Sequence, residues 1–262
     1  MILVENLTKS FGGLKAVDNI SFEVNRGEIF AFLGPNGAGK TTTIKILTTL
    51  LRPSGGTLRV DGLDPGREAV EVRKRFGIVF QDSTLDTDLT AWENMEIHAY
   101  LYGLARNAWR GRAETLLRSF ELWDRRDDRV AVFSGGMKRR LEIARGLLHT
   151  PQILFLDEPT LGLDPQHRNH LWALVKERNK AEGVTVFLTT HYMDEAERSA
   201  GRVAVIDHGK IVDIGTPQDL KRRTSASSLE EAFLSMTGRS VREEGVSNVE
   251  EMRQVVRIWS RK

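Results

Sequence analysis

Apolar residues fall along this chain in two rhythms. Short runs rich in Val, Ile and Phe, such as Ile153 to Leu156 and Val184 to Leu188, read as strands, while longer stretches carry apolar positions at the three- and four-residue steps of a helix. Their alternation predicts an α/β fold with crossover helices joining the strands. The opening stretch differs. Leu3 to Val24 holds β-prone segments punctuated by Gly12-Gly13 and Asp18-Asn19, which predicts an antiparallel sheet leading into a strand over Glu28 to Leu33. Ala91 to Phe120 has a helical pattern, with Trp92, Met95, Ile97 and Leu101 and then Leu116, Leu117 and Phe120, and predicts a helical insertion separating two halves of one core. Beyond Thr150 the order is strand, helix, strand, helix. Asp164-Pro165 and Thr216-Pro217 each pair a capping residue with a proline in the first helical position. The core is expected to close near Arg223. Thr224 to Ser228 is small and polar, which suits a hinge, and a helix over Leu229 to Met236 follows. In the tail, Val249, Met252, Val256 and Trp259 recur like one helix face, which fits docking on a partner or on the core, or a frayed terminus.

Composition narrows the functional classes. A chain of 262 residues with 40% hydrophobic content can bury a sizeable core. Its 38 basic residues against 36 acidic ones give a net charge of +2, and no basic stripe with interleaved aromatics is present, so nothing points to nucleic acid as a partner. The absence of cysteine excludes disulfides and thiolate metal sites. No apolar run approaches the roughly 18 residues that span a bilayer, and Met1-Ile2-Leu3-Val4-Glu5 has none of the features of a secretory signal, so the chain is expected inside the cell.

Two segments carry chemistry. Gly34-Pro35-Asn36-Gly37-Ala38-Gly39-Lys40-Thr41 fits G-x-x-x-x-G-K-[ST] and lies between a predicted strand and a predicted helix, as a phosphate-binding loop requires. Glycines let backbone N–H groups converge on phosphates with no Cβ in the way, and the helix N-terminus adds positive potential. Lys40 would reach the β- and γ-phosphates, Thr41 would supply a hydroxyl to Mg²⁺, and Thr42 adds a donor. The second segment, Ile153-Leu154-Phe155-Leu156-Asp157-Glu158, reads as a buried strand delivering two acids to the sheet edge where the loop sits. Asp157 is expected in the Mg²⁺ shell. Glu158 is expected to face the other way, because successive residues of an extended chain alternate, and is the candidate general base for an attacking water.

Phe133-Ser134-Gly135-Gly136-Met137, continued by Lys138-Arg139-Arg140-Leu141-Glu142-Ile143-Ala144-Arg145, resembles the signature motif and helix of ABC ATPases. Asp157-Glu158-Pro159-Thr160 and Gly162-Leu163-Asp164 match that family's strand end and D-loop. Gln81 sits at the Q-loop position and His191 at the switch histidine, and Phe11 resembles the aromatic that stacks on adenine. The resemblance runs from about Ile2 to Leu220 and implies a P-loop NTPase (RecA-like) core with an N-terminal antiparallel β subdomain and an inserted helical subdomain. The ATPase domain would cover residues 1–223, with the insertion at about 82–145 and a partly helical C-terminal extension over 224–262.

The same resemblance implies ATP and Mg²⁺ as ligands, with Glu158, His191 and Gln81 catalytic and Thr41, Gln81 and Asp157 near the metal. The nucleotide would be held by Phe11, the loop residues 34–42 and the Ser134-Gly135-Gly136 segment, which opens a helix with unobstructed N–H groups. In the family two copies, or a copy and a paralogue, meet head to tail with ATP between one copy's phosphate loop and the other's signature segment. Separate integral membrane permease subunits would then place the chain peripherally at the cytoplasmic face of the membrane. The helical insertion would receive a coupling helix near Trp92 and Met95. Phe133 and Met137 replace the usual leucine and glutamine of the motif. That methionine, with Leu229-Glu230-Glu231-Ala232-Phe233-Leu234 and Thr237-Gly238-Arg239, resembles the ABC-2, daunorubicin-resistance-like export branch. Export of a drug, lipid or polysaccharide-like substrate is the resulting expectation. The alternatives are an importer subunit and a soluble ABC ATPase without a transport role; an idle subunit would be expected to lack Lys40, Glu158 or His191.

Overall fold

The structure, a computed structural model, describes residues 1–238, so the periodic positions Val249 to Trp259 lie outside it. Near the N-terminus, β1 (Ile2–Phe11) pairs antiparallel with β2 (Leu14–Val24) and with β4 (Gly55–Val60), giving a three-stranded sheet in the order β2-β1-β4. The second sheet has the order β5-β6-β7-β3-β8-β9, built from β5 (Phe76–Val79), β6 (Ile153–Asp157), β7 (Thr185–Thr190), β3 (Ile29–Leu33), β8 (Arg202–Asp207) and β9 (Lys210–Gly215). Its strands are parallel except β9, which returns antiparallel beside β8.

Apolar runs belong where both faces of a sheet are covered, and the central strands show how. Side chains alternate between two cores: Phe30, Phe32, Ile153, Phe155 and Phe187 pack toward the antiparallel sheet, while Ala31, Leu33, Leu154, Leu156, Val186 and Leu188 pack toward the helices. On the first side the rings of Phe22, Phe30, Phe32 and Phe187 lie within 6.0 Å of one another in a chain of contacts. Helix α1 (Lys40–Leu47) joins that core through Ile44, Ile46 and Leu47, and α2 (Ala69–Arg75) through Val72.

The helical insertion comprises α3 (Ala91–Leu101), α4 (Arg106–Ser119) and α5 (Gly135–Gly146). A capping box starts α3, with the Thr90 hydroxyl accepting from Glu93 N–H and the Glu93 carboxylate accepting from Thr90 N–H. Met95 is fully buried and Trp92 packs against Trp109 and Trp123, so Met95 serves the interior of the insertion. Where α5 passes β5, a Cβ at Gly77 would stand 2.1 Å from the Gly146 carbonyl oxygen, so the two backbones lie flush only because residue 77 has no side chain.

Two connections differ from the sequence reading. The β8–β9 hairpin precedes α8 (Pro217–Thr224); its turn has His208 and Gly209 at φ 47° and 75°, the left-handed pair that matches strand twist. Thr224 to Ser228 does not stand free as a hinge. Ser225 turns left-handed, Ala226 N–H bonds Lys221 O, and α9 (Leu229–Thr237) buries Leu229, Ala232 and Phe233 against the core. Leu229 N–H is taken by Glu197 on α7 (Met193–Ser199) at 2.9 Å. Among the described residues, no helix is long and apolar enough to cross a membrane.

Candidate active site

Ligands of open parallel sheets bind outside the carboxyl ends of the strands, and here β3, β6, β7 and β5 deliver Gly34, Asp157-Glu158, His191 and Gln81 to that edge. The loop after β3 folds tightly enough that Gly39 adopts φ 105°, and a Cβ there would stand 2.5 Å from Ala16 O. Gly39 also caps α1 without any side-chain acceptor, leaving the first N–H groups of α1 open for an anion. Lys40, only 5% exposed, donates to Gly34 O at 2.7 Å and Pro35 O at 3.2 Å. Its Nζ lies 3.1 Å from Glu158 Oε1.

Asp157 ends β6 with its Oδ1 accepting from Thr41 Oγ1 at 3.3 Å and from Thr189 Oγ1 at 2.5 Å. Glu158 does face away from it, but for a different reason from strand alternation. The chain has already left the strand there: Glu158 has φ 49°, and its N–H bonds Thr189 O at 3.1 Å. This left-handed turn sends the carboxylate to His191, whose Nδ1 lies 2.8 Å from Oε2. Burial raises the Glu158 pKa, but the His191 hydrogen bond and the Lys40 charge outweigh it and hold the carboxyl below its ordinary value. The group is therefore ionised at neutral pH, clamped between a cation and an imidazole.

A magnesium ion fits this corner chemically. Thr41 and Asp157 offer two oxygen donors side by side, 3.3 Å apart. Such a partial set suits a hard cation that takes its other ligands from phosphate and water.

The structure thus brings Lys40, Thr41, Asp157, Glu158 and His191 into one connected cluster. Gly34 and Pro35 join it through their carbonyls, which accept from Lys40, whereas Gln81, Phe11 and the Ser134–Gly136 segment make no hydrogen bond or ion pair with it. Gln81 is exposed, and only its backbone carbonyl is engaged, by Arg139 Nη2 at 2.9 Å. Phe11 is half exposed at the end of β1 with Lys9 Nζ 5.0 Å from its ring centre. Ser134 caps α5, its Oγ accepting from Met137 N–H at 3.2 Å, and Gly135-Gly136 open the helix beside Leu163 and His167. Met137 turns its thioether toward the core instead of offering a polar group.

One residue escaped the sequence reading. Glu195 on α7 is 5% exposed and accepts from Thr160 Oγ1 and Thr190 Oγ1, both at 2.6 Å, and from the Trp172 indole on α6 (Pro165–Glu182). Thr160 follows Glu158 by two positions and Thr190 precedes His191, so one buried carboxylate fixes both flanks of the Glu158–His191 contact. Burial pushes the Glu195 carboxyl up in pKa against the pull of its three donors. In sequence it looks like an ordinary acid in the first turn of a helix. Glu195→Ala strands three buried donors at about 1–3 kcal/mol each, not additively, so a loss of about 3 kcal/mol in unfolding free energy is expected in a denaturant titration.

Comparison with known proteins agrees with this geometry. The family described as ABC transporter matches residues 17–161, more than half of the chain. The daunorubicin/doxorubicin resistance ATP-binding protein DrrA of Streptomyces peucetius is 46% identical over 228 residues, covering 87% of this chain and 69% of that protein. The linearmycin resistance ATP-binding protein LnrL of Bacillus subtilis is 41% identical over 242 residues, covering 89% and 78%. A Nod factor export ATP-binding protein I of Ralstonia nicotianae is 43% identical, covering 84% and 68%. Among solved structures, an ATP-binding subunit of an ABC transporter superposes with a TM-score of 0.82 at 32% identity, covering 90% of this chain and 99% of that one. A dimeric ATP-binding cassette in a post-hydrolysis state, bound to ADP and Pi, superposes with a TM-score of 0.74 at 28% identity, covering 82% and 98%. With a phosphate loop, an acid-bearing strand end and a helix-capping signature segment on the ABC ATPase fold, the chain belongs to the ABC transporter family and is an ATP-binding, ATP-hydrolysing transporter subunit.

Proposed function

We propose that this subunit powers export of an amphipathic, antibiotic-like substrate through ABC-2-type permease subunits at the cytoplasmic face of the membrane. Two copies, or one copy and a paralogue, sandwich ATP. The observation that carries the hydrolytic part is the Glu158 carboxylate held between Lys40 and His191 at the mouth of the phosphate loop.

Lys40 neutralises Glu158 across 3.1 Å. The γ-phosphate of ATP is the stronger anion, so Lys40 turns toward it and leaves Oε1 without its cation. The His191 hydrogen bond, the largest of the contacts that lower the Glu158 pKa, stays, but the Lys40 charge that adds to it is withdrawn while burial still raises the pKa, so the carboxylate becomes a stronger base when substrate is present. His191 holds the other oxygen through Nδ1 and would fix the attacking water against the γ-phosphate. The water loses its proton to Glu158 as its oxygen bonds phosphorus and the bond to the ADP oxygen breaks. Thr41 and Asp157 would hold Mg²⁺, with Gln81 reaching it through its side chain; the bound ion would neutralise charge on the phosphates. Phe11 would stack on the adenine, and Thr42 would add a donor beside the N–H groups of 34–41. Ser134, Gly135 and Gly136 would close on the partner copy's ATP with their helix N-terminus.

Residues 82–145 form the face offered to the permease, and the ABC-2 assignment rests on Met137, on the 229–238 segment and on relatives named for daunorubicin, linearmycin and Nod factor. The test is reconstitution with an ABC-2-type multi-span permease in inside-out vesicles. Addition of ATP should drive accumulation of doxorubicin, chosen as probe, and stimulate phosphate release. Transport only in right-side-out vesicles, dependent on a secreted binding protein, would make the chain an importer subunit.

A further inference from the structure

Arg139, Glu142 and Arg145 recur at three-residue steps along one face of α5, and all three reach the same short segment, residues 80–84. Arg139, 8% exposed, donates to Phe80 O at 2.6 Å and Gln81 O at 2.9 Å and pairs with Glu142 at 2.9 Å. Glu142, 3% exposed, accepts from Thr84 N–H at 2.9 Å through its other oxygen. Arg145 donates to Thr84 O at 3.0 Å and to the Thr84 hydroxyl. Burying an ion pair is a poor way to gain stability, since an apolar pair of similar volume often does as well. What the pair supplies is geometry: the planar guanidinium of Arg139 spans two successive carbonyls, which a lysine ammonium cannot do in the same fixed way.

The location gives that geometry a use. Residues 80–84 lead the chain from β5 into the helical insertion, and α5 leads it back out, with the Gly77–Gly146 contact holding both flush at the base. Gln81 stands at one end of the clamp. Ser134, Gly135 and Gly136 stand at the N-terminal end of α5.

We infer that Arg139, Glu142 and Arg145 are positioning residues that make the Gln81 loop and the signature segment of one chain move as a single body, so that ATP held by the partner copy against Ser134–Gly136 orders the loop serving this chain's own nucleotide. The inference rests on the two-copy arrangement proposed above. Coupling of this kind runs both ways, because each bound nucleotide biases the same rigid unit.

The experiment is hydrogen exchange on the full chain carrying Glu158→Gln to retain ATP, with and without magnesium ATP. ATP should slow exchange at 34–42, at 134–138 and at 80–84. Adding Arg139→Lys, which keeps the charge but not the fork, should reduce the ATP-induced slowing at 80–84 by about tenfold while the other two segments keep theirs. In a chain with native Glu158, the same Arg139→Lys should lower kcat several-fold and leave KM for ATP unchanged. Slowing at 80–84 that survives Arg139→Lys overturns the inference, and so does an equal loss at all three segments, which would mark the clamp as general scaffolding. The paired change Arg139→Met with Glu142→Met keeps the site filled and is expected to repeat the local loss if Arg139→Lys fails to fold. If 134–138 shows no ATP-induced slowing even with the clamp intact, the two-copy arrangement itself is wrong and the inference falls with it.

Discussion

Glu158→Gln should bind ATP as the unsubstituted chain does, accumulate as a nucleotide-bound dimer, and turn over about 10²- to 10⁴-fold more slowly. The amide keeps the shape of the carboxylate and still offers an oxygen to His191, so the cluster at the sheet edge stays assembled. It cannot accept a proton from water at neutral pH, and that is the only property hydrolysis asks of it beyond position. Loss of the negative charge also frees Lys40 in advance for the γ-phosphate, since its 3.1 Å ion pair no longer competes. Affinity for ATP is therefore expected to hold or improve while phosphate release collapses. Single-turnover phosphate release and size-exclusion chromatography with magnesium ATP read both effects. Unimpaired turnover would remove Glu158 from the role of base.

The second large effect is expected at Lys40. Lys40→Ala removes the cation that reaches the phosphates, and it also leaves Glu158 charged and nearly dry with only His191 against it. Breaking one partner of a buried pair typically costs about 3–5 kcal/mol, far more than the pair contributes relative to an apolar replacement. The variant should lose detectable ATP binding by calorimetry and melt several degrees lower. The two losses separate in the double variant Lys40→Met with Glu158→Gln, which has no buried charge left to strand. Its thermal midpoint should recover most of the difference, and its ATP binding should not. A double variant that melts as low as Lys40→Ala would show that the instability comes from the loop's own packing.

What the sequence disclosed depended on how far apart in the chain the cooperating residues lie. The phosphate loop is eight contiguous residues, and the acids end an apolar run, so chemistry and strand position could be read together at 34–41 and 153–158. The capping residues Asp164 and Thr216 were legible for the same reason, and both cap as expected. Gln81 and His191 had no local signature, and only the resemblance pointed to them. Glu195 and its threonine partner Thr160 are 35 positions apart, and Arg139 lies 59 from Phe80. No periodicity brings such pairs together; sheet order does, and β5-β6-β7-β3 is not an order that the chain visits in sequence. The β8–β9 hairpin escaped because Asp207-His208-Gly209 lacks the asparagine-glycine pattern that usually announces a two-residue turn. Glu158 shows the limit most sharply. Strand alternation gave the right direction for its side chain, while the backbone achieves that direction by leaving the strand.

That departure has a cost. Left-handed backbone suits glycine and asparagine, and a glutamate held there sits above its relaxed energy by about 1–3 kcal/mol. Replacing residue 158 with one of those two would relax the backbone, but it would also strip the buried Lys40 of its counter-ion, at about 3–5 kcal/mol, and remove the proposed base. The strained backbone is thus held in place by the same two contacts, to Lys40 and His191, that aim the carboxylate.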